Sequence, residues 1–371
     1  MLLPLLICAV CLCWITYVLF GYPLLLRFLA RRERPIQKAF EPRTVSIVLA
    51  VHNGSRWIRR KIQNLLDLDY PSGLVEIIVV SDGSTDPTAD LAREFTDPRI
   101  RVIEIPHSGK SAALNRGIAE ATGEILFFVD VRQQIDLSSL RNLVADFGDP
   151  AVGAASGELF IRAGATTEEA NTGLYWKYEK FIRRNLSALD SVPGVTGCIY
   201  AMRRDLAVAM PPEILLDDVF LPMNAFLRGY RVILDETAKA WDEPSTLNSE
   251  FYRKVRTQAG VVQVVRQLPA LLTPRNRMLG HFLSHKIGRL TIPWALLLLA
   301  VTTPFLPPQW RFIIAAIQII GYGLALIGAV APEGTILKRV ASPLTTAVIL
   351  FGAAMWGMSV LFRDPQSLWK R

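Results

Sequence analysis

The sequence predicts an α/β domain with a mostly parallel sheet, flanked by transmembrane helices. Three observations lead to this prediction. The chain of 371 residues is 51% hydrophobic and only 20% charged, it contains four long apolar runs, and strand-like and helix-like segments alternate in the polar block between those runs. This composition is too apolar for an ordinary soluble enzyme, and it excludes disordered, coiled-coil and collagen-like chains. The four cysteines form neither a disulfide framework nor a paired CxxC set for zinc.

The first apolar run, residues 2–30, contains a single charged residue, Arg27. As a helix it would extend about 40 Å, which is enough to cross a bilayer. It lacks the basic start and the small-residue cleavage site of a secretory signal peptide, so we expect an uncleaved membrane anchor. Residues 290–306, 311–331 and 343–362 are three further candidate spans.

The charge distribution predicts how the chain is oriented in a membrane. Arg31, Arg32 and Arg34 follow the first span and favour the cytoplasm, which places the polar block there as well. Four spans would put the basic C-terminal tail outside, against the same rule, so the number of C-terminal spans stays open. The predicted segments are an N-terminal transmembrane helix (1–30), a basic linker (31–43), a cytoplasmic α/β domain (44–250), a basic amphipathic interfacial segment (251–289), a C-terminal region of about three spans (290–363) and a tail (364–371).

The basic segment contains a helical pattern, residues 258–272, with a broad apolar face. We expect a helix that lies in the membrane surface and is held there by the basic residues around it. The alternative is an amphipathic helix packed on the protein core. His281 and His285 follow at i, i+4 spacing without an HExxH motif, so contact with lipid headgroups explains them better than zinc does.

Inside the polar block, four apolar runs are each followed by a helix-like stretch, and this order predicts a parallel sheet. The runs are residues 45–51, 76–80, 100–105 and 125–129. Ligands of such sheets bind at the carboxyl ends of the strands, where this sequence has the polar segments VHNG, SDGSTD and DVR. No GxGxxG motif follows the first strand and no P-loop motif occurs, which argues against a dinucleotide enzyme or a P-loop NTPase.

Charged residues at these strand and helix ends suggest how a nucleotide could be bound. Asp82 is placed to accept hydrogen bonds from a base or a ribose, although, taken alone, an ordinary Asp-Gly turn or a helix cap explains it better. Lys110 begins a helix and could hold a phosphate. Asp130 ends an apolar strand and suits a divalent metal on a diphosphate. Asp217 and Asp218 either cap a helix or act in catalysis, and proximity to Asp130 would favour catalysis.

Seven motifs occur in a fixed order: VSIVLAVHNG, VVSDGSTD, GKSAALNRG, FFVD, GVTGCIYAMRR, LLDDVFLP and RKVRTQAG. In this order they resemble family 2 glycosyltransferases, and more narrowly the membrane-embedded branch that contains cellulose, hyaluronan and poly-N-acetylglucosamine synthases. The resemblance covers residues 44 to about 290. It implies a Rossmann-like GT-A fold, a UDP-sugar as donor, and inversion at the anomeric carbon by direct displacement.

The resemblance also implies roles for individual residues. It assigns binding of the nucleotide and its diphosphate to Val51, His52, Asn53, Asp82, Lys110 and Arg256. Asp130 takes the first position of the DxD motif, which binds Mg²⁺ or Mn²⁺. Asp218, beside Asp217, takes the position of the general base. The segment beneath the acceptor sugar corresponds to Thr196, Gly197 and Cys198.

Two positions depart from the family pattern. The DxD motif reads Asp130-Val131-Arg132, so its second acidic position is basic. Either Arg132 places its own charge against the diphosphate, or the metal finds another ligand. We favour a retained metal, because Mg²⁺ or Mn²⁺ serves the departure of a diphosphate well.

The second departure is the QxxRW motif, which reads RKVRT at residues 253–257 and so keeps Arg256 but lacks the Gln and the Trp. In processive synthases that Trp belongs to the acceptor site, so the motif does not predict polymer formation here. Trp176 and Tyr200 are candidates to provide the missing stacking surface. Helix packing is an alternative role for Trp176.

Together these features predict an inverting glycosyltransferase of the inner (plasma) membrane with its catalytic domain in the cytoplasm. We expect it to transfer sugar from a UDP-sugar to a growing polysaccharide, with membrane lipids and subunits of a secretion complex as partners and without a nucleic acid. One alternative is a single addition onto a lipid-linked acceptor. Another is a non-catalytic, nucleotide-binding subunit of a glycan secretion complex.

Overall fold

The computed structural model describes residues 2–161, 167–243, 247–332 and 335–361; of residues 167–176 and 247–250 it describes the backbone alone. An eight-stranded sheet forms the centre of the domain, in the order β3-β2-β1-β4-β7-β6-β8-β5. The strands are β1 (Val45–Val51), β2 (Val75–Asp82), β3 (Ile100–Ile105), β4 (Ile125–Val129), β5 (Gln134–Ile135), β6 (Val152–Ile161), β7 (Ile199–Arg203) and β8 (Arg231–Asp242).

Helices connect the strands and flank the domain. In chain order they are α1 (Leu2–Leu29), α2 (Ser55–Leu66), α3 (Thr88–Arg93), α4 (Lys110–Glu120), α5 (Ser139–Asp146), α6 (Thr167–Leu189), α7 (Asp217–Leu227), α8 (Leu247–Gln267), α9 (Leu279–Phe305), α10 (Pro308–Val330) and α11 (Ile336–Leu361). Two of them contain a π-helical turn, Tyr17–Gly21 in α1 and Leu283–Ile287 in α9.

The first half of the sheet is parallel. β1 pairs in parallel with β2 and with β4, and β2 pairs in parallel with β3, because a helix crosses over between successive strands. β7 runs antiparallel to β4 and β6, and β5 runs antiparallel to β8. Parallel strands covered on both faces are apolar throughout, as the runs in the sequence are. The predicted α/β fold with a mostly parallel sheet is confirmed.

The sheet separates two apolar layers. Ile47 and Leu49 of β1 lie in the layer formed with α2, α3 and α5, whereas Val48 lies in the layer formed with α4, α7 and α8. This alternation follows from the two-residue period of a strand. Leu26 of α1 and Phe282 of α9 belong to the second layer, so the long apolar helices join the domain on that side.

Four helices in the described residues, α1, α9, α10 and α11, are long and apolar enough to cross a membrane. They correspond to the four predicted spans, but α9 begins at Leu279 and not near residue 290. The sequence hides this start, because the first turns of α9 contain histidine and basic residues that lower the local hydropathy. In the folded chain Glu179 of α6 pairs with Arg289 and with His285, which allows these turns to be buried.

Helix α8 contains most of the segment that the sequence predicts to lie in a membrane surface. Its Val261 and Val264 are buried in the second apolar layer. A Cβ atom at Gly260 would lie 2.3 Å from Leu216, so the helix contacts the domain closely. This apolar face therefore packs on protein, as the alternative of a core helix expects, and contact of α8 with lipid stays a prediction.

Candidate active site

Two cavities meet where the parallel strands end. The first, which we call the strand-end cavity, has a volume of about 740 Å³ and is lined by Val51, His52, Asp82, Ser108 and Asp130, among others. The second, which we call the helical cavity, has a volume of about 470 Å³ and lies between the starts of α7, α8 and α9. Lys110, Asp130, Arg132 and Gln133 line both, so the two cavities share a charged border.

Asp82 fixes one wall of the strand-end cavity. It is 3% exposed, and its carboxylate accepts hydrogen bonds from the backbone amides of Ser108 at 2.7 Å and Gly109 at 2.9 Å. The carboxylate therefore holds the loop that precedes Lys110 against the end of β2. Gly83 (φ +58°) has to remain a glycine here, because a Cβ atom would lie 2.4 Å from the backbone nitrogen of His107.

Two histidines cover Asp82. The Nδ1 atom of His52 donates to the carbonyl oxygen of Asp82 at 2.7 Å, and the Nδ1 atom of His107 lies 3.1 Å from its carboxylate. The imidazole rings overlap with their centroids 4.4 Å apart. One ligand atom from each of the three residues lies within 4.8 Å of the others, so they could hold a metal ion. In the sequence, only its place near a strand end points to His107.

Asn53 shapes the turn after β1 and does not line either cavity. It adopts a positive φ of 51°, and its side-chain oxygen accepts a hydrogen bond from the backbone amide of Thr85 at 2.8 Å. The backbone amide of Asn53 donates to the hydroxyl group of Ser84 at 3.1 Å. These two hydrogen bonds hold the loop after β1 against the loop after β2, so Asn53 positions the two loops.

Lys110 joins the strand ends to the start of α7. Its Nζ atom lies 3.1 Å from Asp130 and 3.3 Å from Asp217. Burial lowers the pKa of Lys110, but the carboxylates of Asp130, Asp217 and Asp218 outweigh burial and raise it well above its usual value. A permanently charged lysine thus brings Asp130 and the Asp217-Asp218 pair together, which the sequence alone could not show.

Asp218 has the character of a base. Among the described residues its Oδ1 atom accepts no hydrogen bond. Burial and the charge of Asp217 raise the pKa of Asp218 to about 6, although Lys110, Lys286 and Arg256 act in the opposite direction. A carboxylate with this pKa is ionised at neutral pH and still basic enough to take a proton from a hydroxyl group.

The loop after β4 fixes the position of Arg132 through an ion pair. Arg132 pairs with Asp242 at the end of β8, and the side-chain amide of Gln133 donates to the same carboxylate at 2.8 Å. Lys61 of α2, only 2% exposed, donates to the carbonyl oxygen of Gln133 at 2.8 Å. Burial lowers the pKa of Lys61 to about 8. Neither Asp242 nor Lys61 could be identified from the sequence, since both act through contacts distant in the chain.

The helical cavity contains most of the predicted acceptor residues. Thr196, Gly197 and Cys198 line it, together with Asp218 and Arg256. A Cβ atom at Gly197 would lie 3.1 Å from the Oδ2 atom of Asp218, so this segment contacts the proposed base directly. Arg256 faces this cavity and does not line the strand-end cavity.

The two aromatic candidates for a sugar platform have different outcomes. Tyr200 is fully buried and stacks on Phe128 with ring centroids 4.6 Å apart, so the idea that it contacts an acceptor is wrong. The position belongs to β7, where alternate residues face the core. The side chain of Trp176 lies outside the described residues.

Comparison with known proteins identifies the domain. Residues 46–209 match the family described as glycosyl transferase family 2. A probable glycosyltransferase YdaM of Bacillus subtilis is 26% identical over 245 residues, which is 60% of this chain and 56% of that protein. The poly-beta-1,6-N-acetyl-D-glucosamine synthase of Staphylococcus aureus strain COL is 26% identical over 241 residues, which is 63% of this chain and 58% of the synthase. The chain thus spans little more than half the length of these relatives.

One solved structure matches almost the whole chain. It is that of a mannosyltransferase, PcManGT from Pyrobaculum calidifontis, in complex with GDP-Man and Mn²⁺. The TM-score is 0.74, the sequence identity is 22%, and the match covers 96% of this chain and 99% of the mannosyltransferase. At this identity the match shows the fold alone, and it confirms the predicted GT-A domain flanked by apolar helices.

Proposed function

The chain belongs to the family 2 glycosyltransferases, and from this premise we propose that it transfers a sugar from a nucleoside diphosphate sugar, with inversion, to an acceptor hydroxyl at a membrane surface. The single observation that carries this proposal is the position of Asp218. Its carboxylate has a free oxygen and a raised pKa, and it lies beside the Asp217-Lys110-Asp130 cluster where the two cavities meet.

The geometry assigns a role to each side of that border. The nucleotide occupies the strand-end cavity and the acceptor occupies the helical cavity. The acceptor oxygen attacks the anomeric carbon, its proton passes to Asp218, and the bond from that carbon to the diphosphate breaks. Lys110 balances charge that builds on the departing nucleoside diphosphate. One base suffices for inversion, since only a retaining route through a covalent intermediate needs a second carboxylate as nucleophile.

We propose a UDP-sugar as donor, as the family resemblance implies. The mannosyltransferase with the similar fold is described with GDP-Man, so GDP-sugars are the first competitors. The nucleobase of the donor would be selected at the wall formed by His52, Asp82 and His107, which lines the strand-end cavity.

A divalent cation fits the border of the two cavities. Asp130 presents a carboxylate that is 36% exposed, and Mg²⁺ or Mn²⁺ at such sites takes one or two carboxylates together with phosphate oxygens. The second position of the motif gives no ligand, because Arg132 is a cation without an acceptor atom, and it pairs with Asp242. We propose that Asp130 holds the ion against the diphosphate. Bound there, the ion would supply positive charge to the leaving group.

The apolar helices support a membrane location. We propose that α1, α9, α10 and α11 span the inner membrane and that the catalytic domain faces the cytoplasm, where nucleotide sugars are made available. Membrane lipids and subunits of a secretion complex are the partners that this arrangement would allow.

The acceptor side favours a second candidate, a single addition in place of polymer formation. Thr257 stands where processive synthases carry a stacking Trp, and Tyr200 is buried in the core. Product length separates the two functions. A ladder of products from one acceptor supports a polymerising enzyme, and a single product with one added sugar supports the second candidate.

The test of the proposal is nucleotide release by the full chain in detergent or lipid, across UDP- and GDP-sugars with Mg²⁺ or Mn²⁺. We expect one donor to be used, and Asp218→Asn to lower turnover by about 10²- to 10⁴-fold, the usual contribution of a general base. Asp205→Asn is the matched control, because Asp205 is exposed in a turn distant from both cavities. Nucleotide binding without turnover of any donor would reject the enzyme and support a non-catalytic subunit.

A further inference from the structure

The helical cavity contains more positive charge than the protein neutralises. Arg183 of α6 donates to the hydroxyl groups of Thr196 at 3.0 Å and Ser156 at 2.9 Å, and it makes no ion pair within the part of the chain that the structure describes. Burial lowers the pKa of Arg183, which reflects the cost of keeping this guanidinium away from water. Hydroxyl groups orient the guanidinium but do not neutralise it.

Helix α9 adds further cations from its first turns. Lys286 lines the same cavity and forms no ion pair with any described residue. His285, 2% exposed, lies 3.5 Å from Glu179, and Arg289 pairs with that same carboxylate. Burial raises the pKa of Glu179, but Arg289 and His285 outweigh burial and hold it well below its usual range. The single charge of Glu179 also acts on Lys286 and Arg183, so it is shared among more cations than it can neutralise.

The place of these cations in the fold indicates where a ligand would come from. Lys286 lies about two turns inside α9, an apolar helix long enough to cross a bilayer. At the same level the hydroxyl of Tyr17 in α1 bonds to Ser284 of α9 at 2.8 Å, and Tyr178 of α6 donates to the backbone of Leu19 at 3.3 Å. Among the described residues, the first turns of α9 line the cavity, so the cavity lies beside the end of a candidate span that adjoins the domain. Such an end is expected at the depth of lipid headgroups.

We propose that the helical cavity binds the phosphate of a lipid-linked acceptor and so presents the acceptor's hydroxyl group to Asp218. This inference deepens the proposed function and rests on it. The phosphate is bound by Lys286 and Arg183, both of which suit phosphate oxygens. During transfer the phosphate is unchanged: the hydroxyl loses its proton to Asp218, the new glycosidic bond forms, and the nucleoside diphosphate leaves.

A neutral glycan fits this cavity less well. It would leave Arg183 and Lys286, which are both half-buried, without a carboxylate or phosphate in contact, and withdrawing such a charge from water without a partner is costly. An anionic ligand removes that cost when it binds. The raised pKa of Asp218 also suits a hydroxyl nucleophile, since a phosphate oxygen acting as nucleophile would need no base.

The experiment measures binding, so it does not depend on turnover. The full chain is reconstituted in nanodiscs and titrated with three probes: a polyprenyl diphosphate that carries one N-acetylglucosamine, octyl N-acetylglucosaminide without phosphate, and soluble N-acetylglucosamine 1-phosphate. We expect the phosphate lipid to bind at least tenfold more tightly than either other probe. Lys286→Met should weaken binding of the phosphate lipid about tenfold, and Lys286→Arg should restore it.

Lys177→Met is the matched control, because Lys177 is an exposed lysine on α6 outside the cavity. It should change no affinity, and nucleotide affinity in every variant checks the fold. Equal binding of the octyl glycoside would overturn the phosphate assignment, and equal binding of the soluble phosphate would overturn the lipid assignment. Nucleotide release is followed in parallel. Selective binding of the phosphate lipid without any donor turnover would reject the proposed function and support this binding site. Donor turnover with unselective binding would support the proposed function and reject this binding site.

Discussion

The two cavities balance their charges in different ways. In the strand-end cavity Asp82 accepts hydrogen bonds from two backbone amides, and at the border shared with the helical cavity Lys110 is held by two carboxylates and Arg132 is paired with Asp242. In the helical cavity Arg183 and Lys286 lack a carboxylate partner among the described residues. The first cavity is thus complete before any ligand arrives, and the second needs an anion from outside.

This difference indicates what each cavity contributes. A site whose charges are already paired is rigid and preorganised, which suits the recognition of a nucleotide by shape and hydrogen bonds. A site with uncompensated charge gains binding energy from its ligand, which suits selection among acceptors. Changes at the border between the cavities should therefore have the largest effects, and changes within one cavity smaller ones.

The largest effect is expected from Lys110→Met. The substitution removes the charge that both Asp130 and Asp217 contact, so we expect kcat/KM to fall by about a hundredfold or more. Lys110 also lowers the pKa of Asp218, so the acid limb of the pH profile should move to higher pH in the variant. Steady-state kinetics across pH, with Lys177→Met beside it, measures both. An unchanged pH limb would show that Lys110 does not act on the base.

The second-largest effect is expected in the pH dependence of the unaltered enzyme. The pKa of Asp218 is raised to about 6, so the group is protonated below this pH and cannot accept a proton. We therefore expect kcat/KM to be flat near pH 7 and to fall about tenfold per pH unit below pH 6. Initial rates between pH 5 and 8, with the donor well below its KM, measure this limb. Activity that stays flat down to pH 5 would contradict the assignment of Asp218 as the base.

The smallest effect is expected from Gly197→Ala, which changes the helical cavity alone. The added Cβ atom would lie 3.1 Å from the Oδ2 atom of Asp218, so the carboxylate has to shift by a few tenths of an ångström. We expect kcat to fall roughly five- to tenfold, because a base acts only from the correct position. Gly73→Ala is the control, since nothing lies within 4 Å of a Cβ atom there. Equal rates in both variants would mean that Asp218 has room to move.

The strand-end cavity could be predicted from the sequence, and the helical cavity largely could not. Val51, Asp82 and Asp130 lie at the ends of apolar runs. The carboxyl ends of parallel strands all lie along the same edge of a sheet. Local patterns therefore located them. Lys110 was predicted to hold a phosphate, and its contact with two carboxylates became visible only in three dimensions.

The helical cavity is built from elements far apart in the chain. Arg183 and Lys286 are about a hundred residues apart, and no local pattern brings them to one site. The basic residues at the start of α9 suggested lipid headgroups, and they lowered the hydropathy enough to hide the start of the helix. Tyr200 was misjudged because its place in β7, and therefore the face that it occupies, depends on the register of the sheet.

The position of Lys110 also has a thermodynamic consequence. One ammonium group contacts both Asp130, which lines both cavities, and Asp217, which lines the helical cavity alone. A ligand that draws this group toward one carboxylate therefore withdraws positive charge from the other. Binding in the two cavities is then linked, and linkage is reciprocal. Whatever factor the donor applies to the affinity for the acceptor, the acceptor applies the same factor to the affinity for the donor.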